Sequence, residues 1–237
     1  MTLLTLCQNV ADDVGVERPT TIVGNPDRTA KRLLRAATRE CQLLAKQDWS
    51  ILQRPHEYST VAGVDAYDLP DDFESLLSDT SWDRTNYWLI RGGMTAKEWQ
   101  VRKSAIIATT AFRKEFRIKR GAGNVRQYFI DPVPTEADDL VFEYKSKGWA
   151  QSSTGVVQSQ WLADTDTAIL DEDLVEMGVL WRYLKRIGQS YIEEFNEHAL
   201  IGRQMLAQDR APRTLVPRTN AFVIGAANVP TGNFPGG

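Results

Sequence analysis

The stretch DEDLVEMGVLWRYLKRIG, residues 171–188, decides the fold that we predict for this chain. Its apolar side chains recur at steps of three or four residues, and they are Leu174, Met177, Trp181 and Leu184. This spacing predicts an amphipathic helix, because residues three or four apart lie on one face of an α-helix. Gly188 follows directly and is a typical helix stop. A helix with one apolar stripe must bury that stripe against other elements.

Three more segments have a helical pattern, two near the start of the chain and one directly after Gly188. The first ends before Gly15, and the second begins near Asn25-Pro26-Asp27, where an N-cap residue precedes a proline at the first helical position. We expect the four helices to pack together, because each has a single apolar stripe. Their predicted bounds are about 2–14, 26–48, 171–187 and 190–207.

Between the two helix pairs, residues 49–168 mostly show the period of two that is typical of strands. We predict a hairpin with its turn near Ala62-Gly63, and a second hairpin turn at residues 121–124. Further strands are predicted in FRKEFRIKR (112–120), VRQYFID (125–131) and DLVFEYKSK (139–147). A capping box at Thr95-Ala96-Lys97-Glu98 predicts one short helix, and residues 148–168 are predicted as a long loop or an extended hairpin.

The predicted protein is therefore of the α+β class. It has a four-helix core from its N- and C-terminal segments and a mainly antiparallel β insertion at about 49–168. Residues 1–208 are expected to form a single domain, and residues 209–237 an extended C-terminal arm.

Bulk composition excludes several classes of protein. The 237 residues are 42% hydrophobic and 25% charged with a net charge of −3, which predicts neither nucleic-acid nor membrane binding. The first helix lacks the basic start of a signal peptide, so we expect the chain to stay in the cytosol unless another route exports it. Cys7 and Cys41 are too few for a disulfide framework and are predicted to be buried, reduced thiols.

Residues able to carry out catalysis are sparse. His56 and His198, the latter on a predicted surface helix, have no partner at metal or triad spacing, and we predict structural or surface roles for both. Asp164 and Asp166 are spaced like the first two ligands of an EF-hand, but Ile169 stands where glycine is needed and Val175 where the bidentate Glu is needed. Helix capping explains the acids at 171–173 better.

We therefore predict no catalytic, cofactor-binding or metal-binding residues. A paired-carboxylate enzyme such as a peptidoglycan hydrolase remains the alternative, with the acids at 164–176 and 193–197 as its candidates.

A basic concentration lies at residues 102–120, where seven Lys and Arg residues accompany Glu115. In a strand, Arg113, Glu115, Arg117 and Lys119 share one face, whereas Phe112, Phe116 and Ile118 share the other. The basic face is predicted to be a solvated sheet face, a strip that faces nucleic acid, or a partner of the acidic 164–176 segment of a neighbouring subunit. The candidate channel or subunit-contact residues are Arg113, Arg117 and Lys119.

The chain closes with LVPRTNAFVIGAANVPTGNFPGG, residues 215–237, which has one charge, Arg218, and no periodicity. It cannot build a core of its own. Its three prolines stiffen it and reduce the entropy lost on docking, so we predict an arm that binds apolar grooves of another protein. The predicted binding residues are Leu215, Val216, Phe222, Val223, Ile224 and Phe234.

Three long segments resemble the head-to-tail adaptor proteins of short-tailed bacteriophages and related prophages. They are LLTLCQNVADDVGV (3–16), YDLPDDFESLLSDTSWDRTNYWLIRGGMTAKEWQ (67–100) and TDTAILDEDLVEMGVLWRYLKRIGQSYIEEF (165–195). The resemblance covers about residues 2–208. It implies a helical core with a β-rich insertion, assembled as a ring of twelve copies under the portal protein of the capsid.

The same resemblance implies the function and the partners. Such a ring extends the DNA channel, passes genomic DNA transiently and offers a platform to the next tail component, a tail tube, nozzle or hub protein. It is assembled in the host cytoplasm, resides at the head-tail junction of the virion and needs no membrane or cofactor. In this family the C-terminal segment reaches the portal. The resemblance therefore implies the same role for the arm at residues 209–237, on the basis of its position in the chain. Trp82, Trp88, Trp149 and Trp161 are predicted in loops or sheet edges that suit large contacts, and Trp99 and Trp181 in the interior.

Overall fold

The computed structural model describes residues 1–104 and 113–209, which form α-helices and antiparallel sheets as predicted. Phe112 and residues 210–237, with the six predicted arm residues, lie outside the described part. The helices are α1 (Leu3–Val14), α2 (Arg28–Leu44), α3 (Ala96–Ser104), α4 (Glu172–Ile187) and α5 (Ile192–Asp209). The longer strands are β1 (Gln53–Ser59), β2 (Ala66–Asp68), β3 (Phe73–Leu76), β7 (Glu115–Arg120), β8 (Arg126–Asp131) and β9 (Asp139–Ser146). The two-residue strands are β4 (Trp82–Asp83), β5 (Trp88–Leu89), β6 (Arg91–Gly92), β10 (Ala150–Gln151), β11 (Val157–Gln158) and β12 (Thr167–Ala168).

Helix α4 is the centre of the helical core, since it packs against α1, α2 and α5. The Asp171 carboxylate accepts a hydrogen bond from the Leu174 N–H at its start, and Gly188 ends it in the left-handed conformation. The predicted four-helix core is confirmed. Helix α5 is its outer member, because its contacts to the core come from half-buried residues such as Ile201, Met205 and Leu206.

Helix α2 differs from the prediction at both ends. Its N-cap is Asp27 rather than Asn25, because the Asp27 carboxylate accepts hydrogen bonds from the N–H groups of Thr29 (2.6 Å) and Ala30 (3.1 Å). These bonds lower the pKa of Asp27. The helix ends at Leu44 instead of continuing to about residue 48. There the buried Trp49 indole donates a hydrogen bond to the Leu44 carbonyl, which would otherwise lack a partner within the helix.

The β insertion is built from two packed sheets. Sheet I has the strand order β1-β9-β4-β5, with β3 also paired to β9, and sheet II has the order β2-β8-β7-β6. All these pairs are antiparallel except β6 with β7. Between the sheets the rings of Phe116, Tyr128 and Phe142 stack at centroid distances of 4.5 and 5.3 Å. This aromatic core is separate from the helical core and also contains Phe73, Ile90, Ile130, Leu140 and Tyr144.

The predicted hairpin with its turn near Ala62-Gly63 is wrong. The turn exists, but β1 pairs with β9 in sheet I, whereas β2 pairs with β8 in sheet II. Two hydrogen bonds hold the segment where the chain crosses between the sheets. The Thr60 N–H donates to the Asp138 carbonyl (2.8 Å) at the end of β1, and the Tyr67 hydroxyl donates to the Val64 carbonyl (2.8 Å) in the turn. The other predicted strands are confirmed as β7, β8 and β9 over their described residues, and the turn at residues 121–124 joins β7 to β8.

Residues 148–168 form a small third sheet with the order β11-β10-β12, so the extended hairpin is the correct alternative. Trp149 and Trp161 lie in its loops as predicted, but their rings are buried in the helical core with centroids 5.1 Å apart. Neither ring is therefore available for a contact surface. Trp82 and Trp88 are half-buried in β4 and β5, and Trp99 and Trp181 are buried as predicted.

Candidate interaction surfaces

The acids of the 164–176 segment bind the chain's own backbone. The Asp164 carboxylate accepts hydrogen bonds from the N–H groups of Ile22 (3.1 Å) and Val23 (2.7 Å). Asp166, which is buried, accepts from the N–H groups of residues 162 and 163, and its carbonyl accepts from the first N–H of α1, that of Leu3. This segment is thus a capping loop for α1. Within residues 1–104 and 113–209, no group of three or more His, Cys, Asp or Glu residues is placed to hold a metal ion.

Two further acids of this segment also have partners within the chain. Glu172 pairs with the amino group of Met1, and Glu176 accepts a hydrogen bond from the Asn9 side chain (3.0 Å). These contacts tie α4 to α1. The bonded acids of the segment thus have a role within the fold, and Asp171, Glu172 and Asp173 are also exposed to solvent.

His198 does not lie on the surface. Its ring, 12% exposed, approaches the buried Glu40 of α2 with 2.9 Å between Nε2 and Oε1, in the geometry of an ion-pair contact rather than of a linear hydrogen bond. Arg182 of α4 binds the other carboxylate oxygen. Gly178 makes room for this carboxylate, because a Cβ at that position would overlap it. The cluster thus joins α2, α4 and α5 in a structural role, and the one signal for it in the sequence is a glycine within a strong helical pattern.

The remaining candidate residues for chemistry are also structural. His56 in β1 packs against the rings of Tyr58 and Phe142, and burial lowers its pKa despite the nearby Asp72 carboxylate. Cys7 and Cys41 are buried, free thiols, as predicted. Burial raises the pKa of Cys7 to about 12, so this thiol stays protonated at neutral pH.

The predicted basic face lies on the outer side of sheet II. Phe116 points into the aromatic core, whereas Arg117 and Lys119 share the outer face, with the Lys119 ammonium 4.0 Å from the centroid of the Phe129 ring. The Arg113 guanidinium instead lies 5.5 Å from the Trp88 ring centroid, near the edge of sheet I. The structure therefore keeps Arg117 and Lys119 together and directs Arg113 to a different neighbour.

Helix α3 lies across this outer face, because its buried Trp99 is beside Lys119 and its Arg102 is beside Glu115. The predicted capping box forms, since the Thr95 N–H donates to the Glu98 carboxylate (2.7 Å) and the Glu98 N–H to the Thr95 hydroxyl (3.3 Å). From α3, Arg102 pairs with Glu115 and Asp131, both at 2.5 Å. Lys103 also pairs with Asp131. These ion pairs balance Glu115 and Asp131, whereas Arg117 and Lys119 make no ion pair within the described residues.

Lys114 is the centre of a structural ion cluster that the sequence patterns did not predict. Its ammonium pairs with the carboxylates of Asp83 (2.5 Å) and Asp138, and the Asn86 side chain bridges the same two carboxylates at 3.1 and 3.0 Å. Burial alone would raise the pKa of Asp83, but the bonds from Lys114 and Asn86 outweigh it and lower that pKa. The available signal was alternation, which places Lys114 on the apolar face of its strand, where a charge needs a partner.

This ion cluster fixes three loops at the end of the β insertion opposite the four-helix core, beside the end of α3, whose Arg102 pairs with Asp131. We call loops 60–65, 84–87 and 132–138 the distal rim. Bonds from Thr60 and Asn86 to Asp138 join them. Several large apolar side chains are exposed there, led by Tyr87 at 81% with a positive φ of 59°; the others are Val61, Val64 and Val133. A rigid, exposed apolar rim is typical of a protein-binding surface.

We expect the β insertion to lose stability in acid. The pKa values of Asp83 and Asp131 are lowered by their cationic partners, although burial opposes this. Their stabilisation is therefore complete above the ordinary value of 3.8 and is lost as pH falls through the lowered values. Urea unfolding followed by near-ultraviolet circular dichroism at successive pH values measures this slope. Asp131→Asn should flatten it, and an unchanged slope in that variant would contradict the assignment.

None of the helices in the described ranges could cross a lipid bilayer, because none combines the necessary length with enough apolar character. A comparison with curated proteins gave no match. Residues 1–219 match the model of a family described as SU10 adaptor protein, which spans the helical core, the β insertion and the first ten residues after α5. The chain therefore belongs to the SU10 adaptor protein family, and it is a structural adaptor of a bacteriophage.

Proposed function

We propose that the protein forms a ring of twelve copies beneath the portal protein, extends the DNA channel there and carries the next tail component. Membership of the adaptor family over residues 1–219 carries this proposal. In this proposal the protein is assembled in the host cytoplasm and resides at the head-tail junction of the virion. A ring is a head-to-tail assembly, so each copy must offer two different faces to its neighbours and two ends to its axial partners.

The position at which the C-terminal arm leaves the fold supports the proposed contact with the portal. The carboxylate of Asp209, the last residue of α5, accepts hydrogen bonds from the N–H (2.6 Å) and the hydroxyl (2.5 Å) of Ser50. Residues 210–237 therefore leave from a fixed point beside the helical core. We propose that the arm docks on the portal through Leu215, Val216, Phe222, Val223, Ile224 and Phe234. The first two lie inside the family match and the other four beyond it.

The position of the distal rim supports the proposed contact with the next tail component. Strand β1 leads from the helical core to the rim, and its seven residues span about 23 Å. The rim and the departure point of the arm thus lie at opposite ends of β1, as an adaptor between two partners requires. Contact with passing DNA would be transient, since tight binding would hinder its passage. The protein would act without catalytic turnover, because its family is one of structural adaptors and Asp164 and Asp166 already bind backbone N–H groups of the chain.

We expect truncation after Asp209 to weaken attachment to the portal strongly. Portal rings of the same phage would be mixed with the full chain or with residues 1–209, and bound copies counted by native mass spectrometry and electron microscopy. Burial of Phe222 and Phe234 is worth about 3 kcal/mol, so the truncated chain should bind about 100-fold more weakly. Its thermal unfolding should be unchanged.

Tyr87→Ser provides the matched control for this experiment. It removes an exposed ring from the distal rim, at the other end, and should leave portal attachment intact. Attachment of the truncated chain as tight as that of the full chain would overturn the role of the arm. Failure of the full chain to form rings on the portal would overturn the proposed function itself.

A further inference from the structure

The two outer faces of the β sandwich are complementary in charge. We infer that, in the ring, the outer face of sheet I in one copy packs against the outer face of sheet II in the next copy. This inference rests on the proposed ring and names the surfaces that close it. It also assigns Arg117 and Lys119 to the subunit contact rather than to the DNA channel.

The outer face of sheet I is acidic. Glu57 of β1 and Asp139 and Glu143 of β9 alternate with Tyr58, Leu140 and Phe142, whose side chains pack in the aromatic core. Within residues 1–104 and 113–209, the carboxylates of Glu57 and Glu143 make no ion pair. That of Asp139 accepts a hydrogen bond from the Ser59 hydroxyl (2.7 Å).

This acidic face also has a shape that could receive a neighbour. A cleft of about 480 Å³ opens on it beside Glu57, Asp139 and Val141, and Arg84 lines the cleft as well. Lys145, at the other end of β9, is occupied by the Lys46 carbonyl and the Asp48 carboxylate. The outer face of sheet I therefore has three carboxylates and one exposed guanidinium, that of Arg84, and its charge is negative.

The outer face of sheet II is basic. The ion pairs from α3 to Glu115 and Asp131 neutralise one end of it. Asp68, the acid that remains, accepts a hydrogen bond from the Gln127 side chain (2.8 Å). Arg117 and Lys119 make no ion pair within the described residues, and both are half-buried. Lys119 lies beside the rings of Trp99 and Phe129, and Arg117 is opposite Phe129 on the neighbouring strand. The exposed parts of these two side chains therefore keep a positive charge on this face.

The arrangement of the two faces fits a ring. Because the aromatic core fills the space between the sheets, their outer faces point in opposite directions. Each copy can therefore present its acidic face to one neighbour and its basic face to the other, as a head-to-tail contact demands. Opposite charges would favour this register and disfavour like-face contacts. Most acids of the 164–176 segment, by contrast, bond to groups of their own chain.

Charge reversal tests this inference through rescue. One variant carries Glu57→Lys with Glu143→Lys, and the other carries Arg117→Glu with Lys119→Glu. Copies bound per portal ring would be measured for each variant alone, for an equal mixture and for a chain with all four changes. We expect each variant alone to assemble at least about tenfold less well, because like charges then meet at every contact. The mixture and the fourfold variant should recover, since opposite charges meet again.

The controls separate folding, ring formation and the contact itself. Glu193→Lys with Glu197→Lys reverses two exposed acids on α5 and should leave assembly unchanged. Recovery in the mixture is an outcome that a folding defect cannot produce. Normal assembly of either variant alone would overturn the inference. It would also be overturned if neither the mixture nor the fourfold variant recovered assembly. Wild-type rings that still form in parallel would leave the proposed function standing, whereas their absence would overturn both.

Discussion

Gly178→Ala is expected to lower the free energy of unfolding by about 2 kcal/mol, although alanine is the better helix former by about 1 kcal/mol. The reason is the space beside Gly178, which the carboxylate of Glu40 occupies. Glu40 cannot move aside easily, because Arg182 binds one of its oxygens and His198 approaches the other. Chemical denaturation of the full chain measures the change.

A double-mutant cycle identifies this cause. Glu40→Ala alone should cost about 3 kcal/mol, since it leaves Arg182 without its buried partner. In that background Gly178→Ala should become neutral or stabilising, because the carboxylate that it overlaps is gone. Gly202→Ala in α5 is the matched control, with Leu174 Cδ1 at an ordinary 3.5 Å from the added carbon. If Gly178→Ala stabilised the protein as Gly202→Ala should, the close packing at Glu40 would be refuted.

Lys114→Met should destabilise the β insertion by about 2 to 3 kcal/mol. The side chains of Asp83 and Asp138 are 4 and 5% exposed, so removal of the ammonium leaves two carboxylates buried side by side without a cation. The distal rim should loosen first, because these carboxylates join loops 84–87 and 132–138. Hydrogen exchange of the backbone amides in these loops, together with urea unfolding, measures both effects.

Lys119→Met is the control for this prediction. Lys114 directly precedes β7, and Lys119→Met removes the same charge from β7 itself, at an outer position where Lys119 lies beside aromatic rings. Its effect on stability should stay below about 1 kcal/mol, the range of an exposed cation–π contact. Equal effects of the two substitutions on rim exchange would show that Lys114 does not hold the rim.

Local patterns determined much of the fold. The spacing in 171–188 predicted α4 and its stop at Gly188, and Thr95 with Glu98 predicted the start of α3. Alternation in β7 predicted that Phe116 faces inward and that Arg117 and Lys119 face outward. These features depend on neighbours within about four residues, so a single sequence contains the information.

Long-range pairing is what the sequence could not supply. The turn after β1 was visible, but the choice of β9 as partner of β1 depends on residues about eighty positions away. The same holds for Glu40, which meets Arg182 and His198 only when α2, α4 and α5 pack, and for Lys114 with its two carboxylates.

The sequence by itself determined the helices, most of the strands and the family resemblance, because periodicity and caps are short-range properties. Only the tertiary structure decided which charges are balanced within the chain and which remain free on its two outer faces, because the partner of a charge is set by packing between distant segments.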